Sequence, residues 1–185
     1  MLLLIRSILL FCFVAAAAPA ADSETLRDIQ AGLADQYPGV HVMSPEELTR
    51  EIARGGDLLI LDVRSEEEFR VSHISGALRV DPGASANKVA DLISGLGNPG
   101  TVVFYCSVGN RSTRLANRVQ KVLPPEAEVS VFNLSGGLFL WHNQFRPLEG
   151  ERGQTEYIHP NFASRAELLI RKNLASTKPS EQADP

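Results

Sequence analysis

Apolar residues follow two spacings along this chain. Residues 58–61 and 102–105 are continuous apolar runs, whereas the segments between such runs return an apolar side chain every third or fourth position. Continuous runs suit strands buried on both faces of a parallel sheet, and the wider spacing suits helices with one buried stripe. Read in order, the pattern predicts a helix over 22–36 with Leu26, Ile29 and Leu33 on one face, ending near Tyr37-Pro38-Gly39. A short edge strand at 40–43 follows. Ser44-Pro45-Glu46-Glu47 is a helix start, with Ser44 as N-cap, Pro45 in the first turn and Glu47 closing a capping box. Leu48 and Ile52 are expected to face inward, and Gly55-Gly56 to stop that helix.

Further strands are predicted at 58–63, 78–80, 101–105 and 129–132. Ser65 opens a short helix and residues 73–77 form a turn. Helices follow over 85–94, with Val89, Leu92 and Ile93 inward, and after residue 109, with Leu115, Ala116, Val119, Val122 and Leu123 inward. Pro124-Pro125 terminates the latter. Gly136-Gly137 opens another, with Leu138, Trp141 and Phe145 on one side, and Ala166, Leu169 and Ile170 mark a last helix over 163–173. Strands alternating with helices imply an α/β fold, a mostly parallel central sheet with helices on both faces. Ligands of such sheets bind beyond the carboxyl ends of the strands. Asp62 and Cys106 both fall there.

The first 20 residues break this pattern. Apolar stretches at 2–5 and 8–14, with Arg6 between them and alanines after, read as a secretory signal peptide cleaved after Ala18-Pro19-Ala20. The apolar run falls short of the roughly 20 residues that span a bilayer, so no stable membrane span is expected after cleavage. The expected organisation is a signal at 1–20, a helical extension at 21–39, one globular domain over 40–148, a C-terminal extension with a helix at 149–175 and a disordered tail at 176–185. Localisation follows as exported, periplasmic or secreted. The net charge of −4 argues against general attraction to nucleic acid. Asn110-Arg111-Ser112 and Asn133-Leu134-Ser135 match the glycosylation pattern. A glycan on Asn110 would block the loop described next, which favours a bacterial envelope over a eukaryotic secretory route.

Of the two cysteines, Cys12 leaves with the signal, so Cys106 has no partner within the exported chain. An unpaired cysteine in an oxidising compartment is an intermolecular partner or a reactive thiol. Its setting favours the thiol. Strand residues 101–105 deliver it into the loop Ser107-Val108-Gly109-Asn110-Arg111-Ser112, which turns directly into a helix. Loop N–H groups and the positive helix end should face the sulfur, favouring thiolate and welcoming an anion. Gly109 permits the tight curl, and Arg111 is placed to hold an oxyanion or a persulfide's charge. Asp62 is read as a loop-orienting or structural residue, Arg64 as the partner of Glu67 or Glu68, and His73 as a turn histidine satisfied by backbone. His41, His142 and His159 have no metal-site spacing, and neither metal nor cofactor is implied.

Leu61-Asp62-Val63-Arg64 with Glu68-Phe69, then His73-Ile74-Ser75-Gly76-Ala77, then Cys106 to Ser112, then Gly136-Gly137 with Trp141, together resemble a single rhodanese domain. The resemblance implies a three-layer fold and a sulfurtransferase. In such enzymes the loop cysteine takes the outer sulfur of thiosulfate or a persulfide or polysulfide, becomes a persulfide, and passes the sulfur to a thiol or cyanide; a protein thiol is a possible partner. It further implies Cys106 as nucleophile and residues 107–112 as the substrate loop, with Asp62 and Arg64 supporting. Many thiosulfate-using members carry arginine directly after the cysteine, where this chain has Ser107, which puts the donor rather than the reaction in question. Ser72 stands where the family often has glycine. Cysteine-loop phosphatases place five residues between cysteine and arginine, whereas four separate Cys106 from Arg111. The remaining alternative is a non-catalytic binding or redox-sensing module with an exposed thiol.

Overall fold

The computed structural model describes residues 25–179. The signal peptide read at 1–20 and the end of the expected tail, 180–185, lie outside the described residues.

A five-stranded parallel sheet forms the centre. Its strands are β1 (His41–Met43), β2 (Leu58–Asp62), β3 (Leu78–Arg79), β4 (Thr101–Tyr105) and β5 (Ser130–Leu134), in the order β1-β5-β4-β2-β3. β4 therefore lies in the middle, with Ile60 beside Val103 and Val103 beside Phe132. Its side chains alternate between two apolar layers, as strand geometry requires. Val103 and Tyr105 join Ile60 on one face, under α1 (Leu26–Gln36), α2 (Pro45–Arg54) and α6 (Gly137–Asn143), through Ile29, Leu33, Leu48, Leu138 and Trp141. Val102 and Phe104 join Leu59, Leu61 and Val131 on the other, under α4 (Ala86–Gly95) and α5 (Asn110–Val119), through Val89, Ile93, Leu115, Ala116 and Val119. The expected α/β architecture with helices on both faces is present.

Local signals explain where the helices begin. The Ser44–Glu47 capping box forms, Pro45 occupies the first turn, and Gly55 ends α2 in the left-handed region at φ 62°. A second box forms at α3 (Glu66–Val71), where Ser65 Oγ accepts from the Glu68 N–H at 3.3 Å and the Ser65 N–H donates to Glu68 Oε2 at 3.0 Å.

Several inward assignments do not hold. Ile52, Leu92, Val122 and Phe145 are 40%, 37%, 43% and 66% exposed. α5 ends at Val119, before Val122, and α6 ends at Asn143, after which Phe145 takes a positive φ of 57° and turns out of the helical stripe. Residues 163–173 form no α-helix. Two 3-10 segments, Ala163–Leu168 and Lys172–Leu174, stand there, and Leu169 between them is buried.

The segment after α6 packs back onto the domain. A two-stranded antiparallel ribbon, β6 (Leu148–Gly150) and β7 (Gly153–Thr155), is bridged to the turn at His73 by reciprocal bonds between His73 and Glu149. Asn143 holds the 3-10 region from both sides: Nδ2 donates to the Leu168 carbonyl and Oδ1 accepts from the Ile170 N–H, each at 2.9 Å. Ser176, at the start of the expected disordered tail, donates its N–H to the Ile158 carbonyl.

Candidate functional site

Cys106 follows the last residue of β4, and its loop is fixed from outside by the start of α6. The Leu138 N–H donates to the Cys106 carbonyl at 2.8 Å and the Phe139 N–H to the Ser107 carbonyl at 3.0 Å. With these carbonyls held outward, loop N–H groups turn inward, and the Gly109 N–H reaches Cys106 Sγ at 3.2 Å. Two glycines permit this. Gly109 sits at φ 103°, closed off by Leu33 of α1, and Gly137 sits at φ 58°, where a Cβ would lie 2.4 Å from the Cys106 carbonyl oxygen.

The thiol is not exposed. Cys106 retains 1% of its accessible surface, and the floor it forms belongs to a cleft of about 270 Å³ lined by Ser107, Val108, Asn110, Arg111, Asn161, Phe162 and Arg165. A larger groove of about 710 Å³ lies between α1 and α6, but its lining includes no cysteine. The exposure that the redox-sensing alternative expected of this sulfur is not present: Cys106 is buried at the cleft floor. Burial pushes the Cys106 thiol up, while the Arg111 guanidinium, Ser112 and the Val108 N–H push it down; the balance falls below the ordinary thiol value.

Arg111 is not a free cation. Its Nη1 and Nη2 each donate at 2.7 Å to the two oxygens of Glu68, and Nη2 donates at 3.0 Å to Ser107 Oγ. Ser107 Oγ in turn donates to Glu68 Oε1 at 2.9 Å. Glu68 is 2% exposed; burial alone would raise its carboxyl, but the Arg111 fork outweighs it and holds the group at about 2. Glu68 thus serves α3 as a cap and the loop as a counter-charge. The motif that carried it in sequence placed it beside Arg64, not Arg111.

Arg64 pairs elsewhere. Its Nε donates to Asp62 Oδ1 at 2.8 Å, and its Nη2 donates to Asp62 Oδ2 at 2.5 Å and to the Ser72 carbonyl at 2.6 Å. Both side chains are fully buried, so the expected partnership with Glu67 or Glu68 is replaced by a strand-end pair that pins the turn after α3. Removing one partner of such a pair strands a buried charge, at roughly 3–5 kcal/mol. Asp62 supports the fold in this way rather than by receiving loop N–H groups. The same turn is held by Tyr105, whose hydroxyl accepts from the Ile74 N–H at 3.1 Å. His73 Nδ1 lies 2.9 Å from the Phe69 carbonyl with the two rings stacked at 3.8 Å, the backbone-satisfied state expected of it.

Among the other expected site residues, Val108 and Ser112 are buried, Ser112 Oγ lying 2.6 Å from Asn133 Oδ1, while Asn110 begins α5 at the cleft wall. Asn133 is 1% exposed, which closes the second glycosylation pattern to modification. Three lining residues escaped the sequence reading: Asn161, Phe162 and Arg165. Asn161 Nδ2 reaches Glu68 Oε1 at 3.2 Å across 93 residues of chain, a contact no local pattern encodes.

Known proteins carry the same domain. The family described as "Rhodanese-like domain" matches residues 44–144. The chain belongs to the rhodanese-like family. A probable adenylyltransferase/sulfurtransferase MoeZ of Mycobacterium tuberculosis is 30% identical over 126 residues, covering 68% of this chain. This rhodanese-like chain spans only 31% of that relative's length. The thiosulfate sulfurtransferase GlpE of Pseudomonas putida is 28% identical over 112 residues, 60% of this chain and 94% of the relative. A yeast structure, Ygr203w, described as a protein tyrosine phosphatase of the rhodanese family, superposes with a TM-score of 0.50 at 19% identity, covering 56% of this chain and 84% of its own. It shows a shared fold.

Two outcomes follow from the charges. Alkylation of Cys106 should proceed with a midpoint below the ordinary cysteine value of about 8.5, and Arg111→Ala should move the midpoint upward by removing the cation and leaving Glu68 uncompensated. A profile indifferent to Arg111→Ala would contradict the electrostatic role. Glu68, held at about 2 in the fold, contributes stability that is fully present above its unfolded value near 4.5 and is lost as pH falls toward 2. Thermal unfolding of Glu68→Gln should therefore be less pH-dependent across that window than wild type, and parallel curves would rule out the link.

Proposed function

We propose that this rhodanese-like protein is a sulfurtransferase in which Cys106 carries the sulfur. The observation that carries the reading is the cleft itself: a sulfur at its floor, biased toward thiolate and receiving the Gly109 N–H, under an opening sized for a small donor. The thiolate attacks the outer sulfur of a sulfane donor such as thiosulfate. A Cys106–sulfur bond forms, the donor's sulfur–sulfur bond breaks, and sulfite leaves with the electron pair. A thiol or cyanide then attacks the outer sulfur of the persulfide, and Cys106 departs as thiolate. Loop N–H groups offset charge on both sulfur species without a protein proton being moved. The relatives named as sulfurtransferases support this reaction class.

A cysteine-loop phosphatase fits less well, although several relatives are described as phosphatases. The loop places four residues between Cys106 and Arg111, and both Arg111 donors face Glu68. A phosphate dianion brought to the loop would meet that carboxylate. We further read the protein as exported, on the strength of its apolar first 20 residues and the Ala18-Pro19-Ala20 site.

Incubation of the full chain with thiosulfate or polysulfide should add one sulfur atom to the Cys106 peptide, detected by mass spectrometry and abolished in Cys106→Ser. Absence of an adduct with every sulfane donor tried, or aryl-phosphate hydrolysis lost in Cys106→Ser, would reject the reading.

A further inference from the structure

Two guanidinium groups line the Cys106 cleft, and their circumstances differ. Arg111 has its charge taken up by the two oxygens of Glu68. Arg165 makes no salt bridge and no hydrogen bond from its side chain among the described residues, and its Nη1 is buried without any partner. A buried, unsatisfied charged donor is costly unless a ligand completes it. The nearest acid along the chain, Glu167, is engaged by Lys172.

The segment bearing Arg165 is built to stay in place. Asn161 takes a left-handed conformation at φ 67°, donates its N–H to His159 Nδ1 at 3.0 Å, and ties its side chain to Glu68. Phe162 forms a cleft wall, and the Arg165 guanidinium lies over its ring at 4.9 Å, a contact that orients the cation while leaving its edge N–H groups unused. The Arg165 N–H donates to the Phe162 carbonyl at 2.9 Å, and buried Leu169 with the Asn143 clasp fixes the far end.

We propose that Arg165, contributed by the C-terminal extension, is the anion-binding residue of this cleft, set beside Cys106 to receive the negatively charged end of an anionic sulfane-sulfur donor. The proposal rests on the reading of Cys106 as a sulfur carrier. The charged end is an oxyanion, either the sulfonate-like group of thiosulfate or the carboxylate of a small thiol persulfide; a planar guanidinium accommodates both through paired N–H donors. The residue binds the donor and takes no part in bond making.

The test compares two alkylating agents of similar size on the full chain, iodoacetate and iodoacetamide. Arg165 should speed the reaction of the anionic reagent selectively. Arg165→Gln should slow iodoacetate by about tenfold, the scale of a hydrogen bond to a charged group, with iodoacetamide unchanged, and Arg165→Lys should restore part of the difference. A ratio of the two rates that Arg165→Gln leaves untouched overturns the proposal, whether or not the protein transfers sulfur. With donors, Arg165→Gln should raise KM and spare kcat for thiosulfate if the sulfonate-like group is the ligand. It should do so for glutathione persulfide instead if the carboxylate is. Neither donor should be affected if Arg165 is only a wall of the cleft, and that result also rejects the assignment.

Discussion

A single buried carboxylate organises the candidate site. Glu68 closes the capping box of α3, receives the hydroxyl of Ser107, both arms of Arg111 and the amide of Asn161, and so joins a helix, the cysteine loop, the following helix and the C-terminal extension. Each of these partners is a donor, and each removes one reason for the carboxyl to take up a proton. The ionised form is therefore compatible with burial, and the loop gains a fixed negative post against which Arg111 is held.

That arrangement divides the electrostatic work. The Arg111 guanidinium still lowers the Cys106 thiol, but a substrate anion meets a cation already paired. The Gly109 N–H faces the sulfur, in a loop whose first two carbonyls are held by α6. In the role proposed for Arg165, charge for recognising an anion comes instead from the extension beyond the family match, which ends at residue 144. The extension is thus part of the cleft and not an appendage beside it, since Asn161, Phe162 and Arg165 all line it.

Features set by near neighbours in the chain were legible before the structure. Strand runs, the Ser44–Glu47 box, the stop at Gly55 and the strand-loop-helix around Cys106 all depend on residues within a few positions of one another. What escaped depends on distant chain segments. Arg111 finds Glu68 across 43 residues, and the periodicity that marks a helix says nothing of which acid its arginine will meet. Sequence spacing puts Arg64 beside the acids one turn onward, yet it pairs with Asp62, two residues back, where both side chains are fully buried. Residues 163–173 carry helical spacing, but Asn143 and the buried Leu169 impose 3-10 turns over so short a span. A signal for Glu68 did exist: a glutamate at the third position of a short helix, three residues after Ser65, where that helix opens just after β2, the strand paired with β4.

The coupling between Glu68 and Arg111 is the most direct point at which to test this account. A double-mutant cycle of Glu68→Gln, Arg111→Met and the pair, read as free energy of unfolding at neutral pH, isolates it. Each single change should strand its buried or half-buried partner, and the double variant should recover roughly 1–3 kcal/mol relative to the sum of the two. Additive effects would mean that the two charges are neighbours without being partners, and Glu68 would lose its place at the centre of the site.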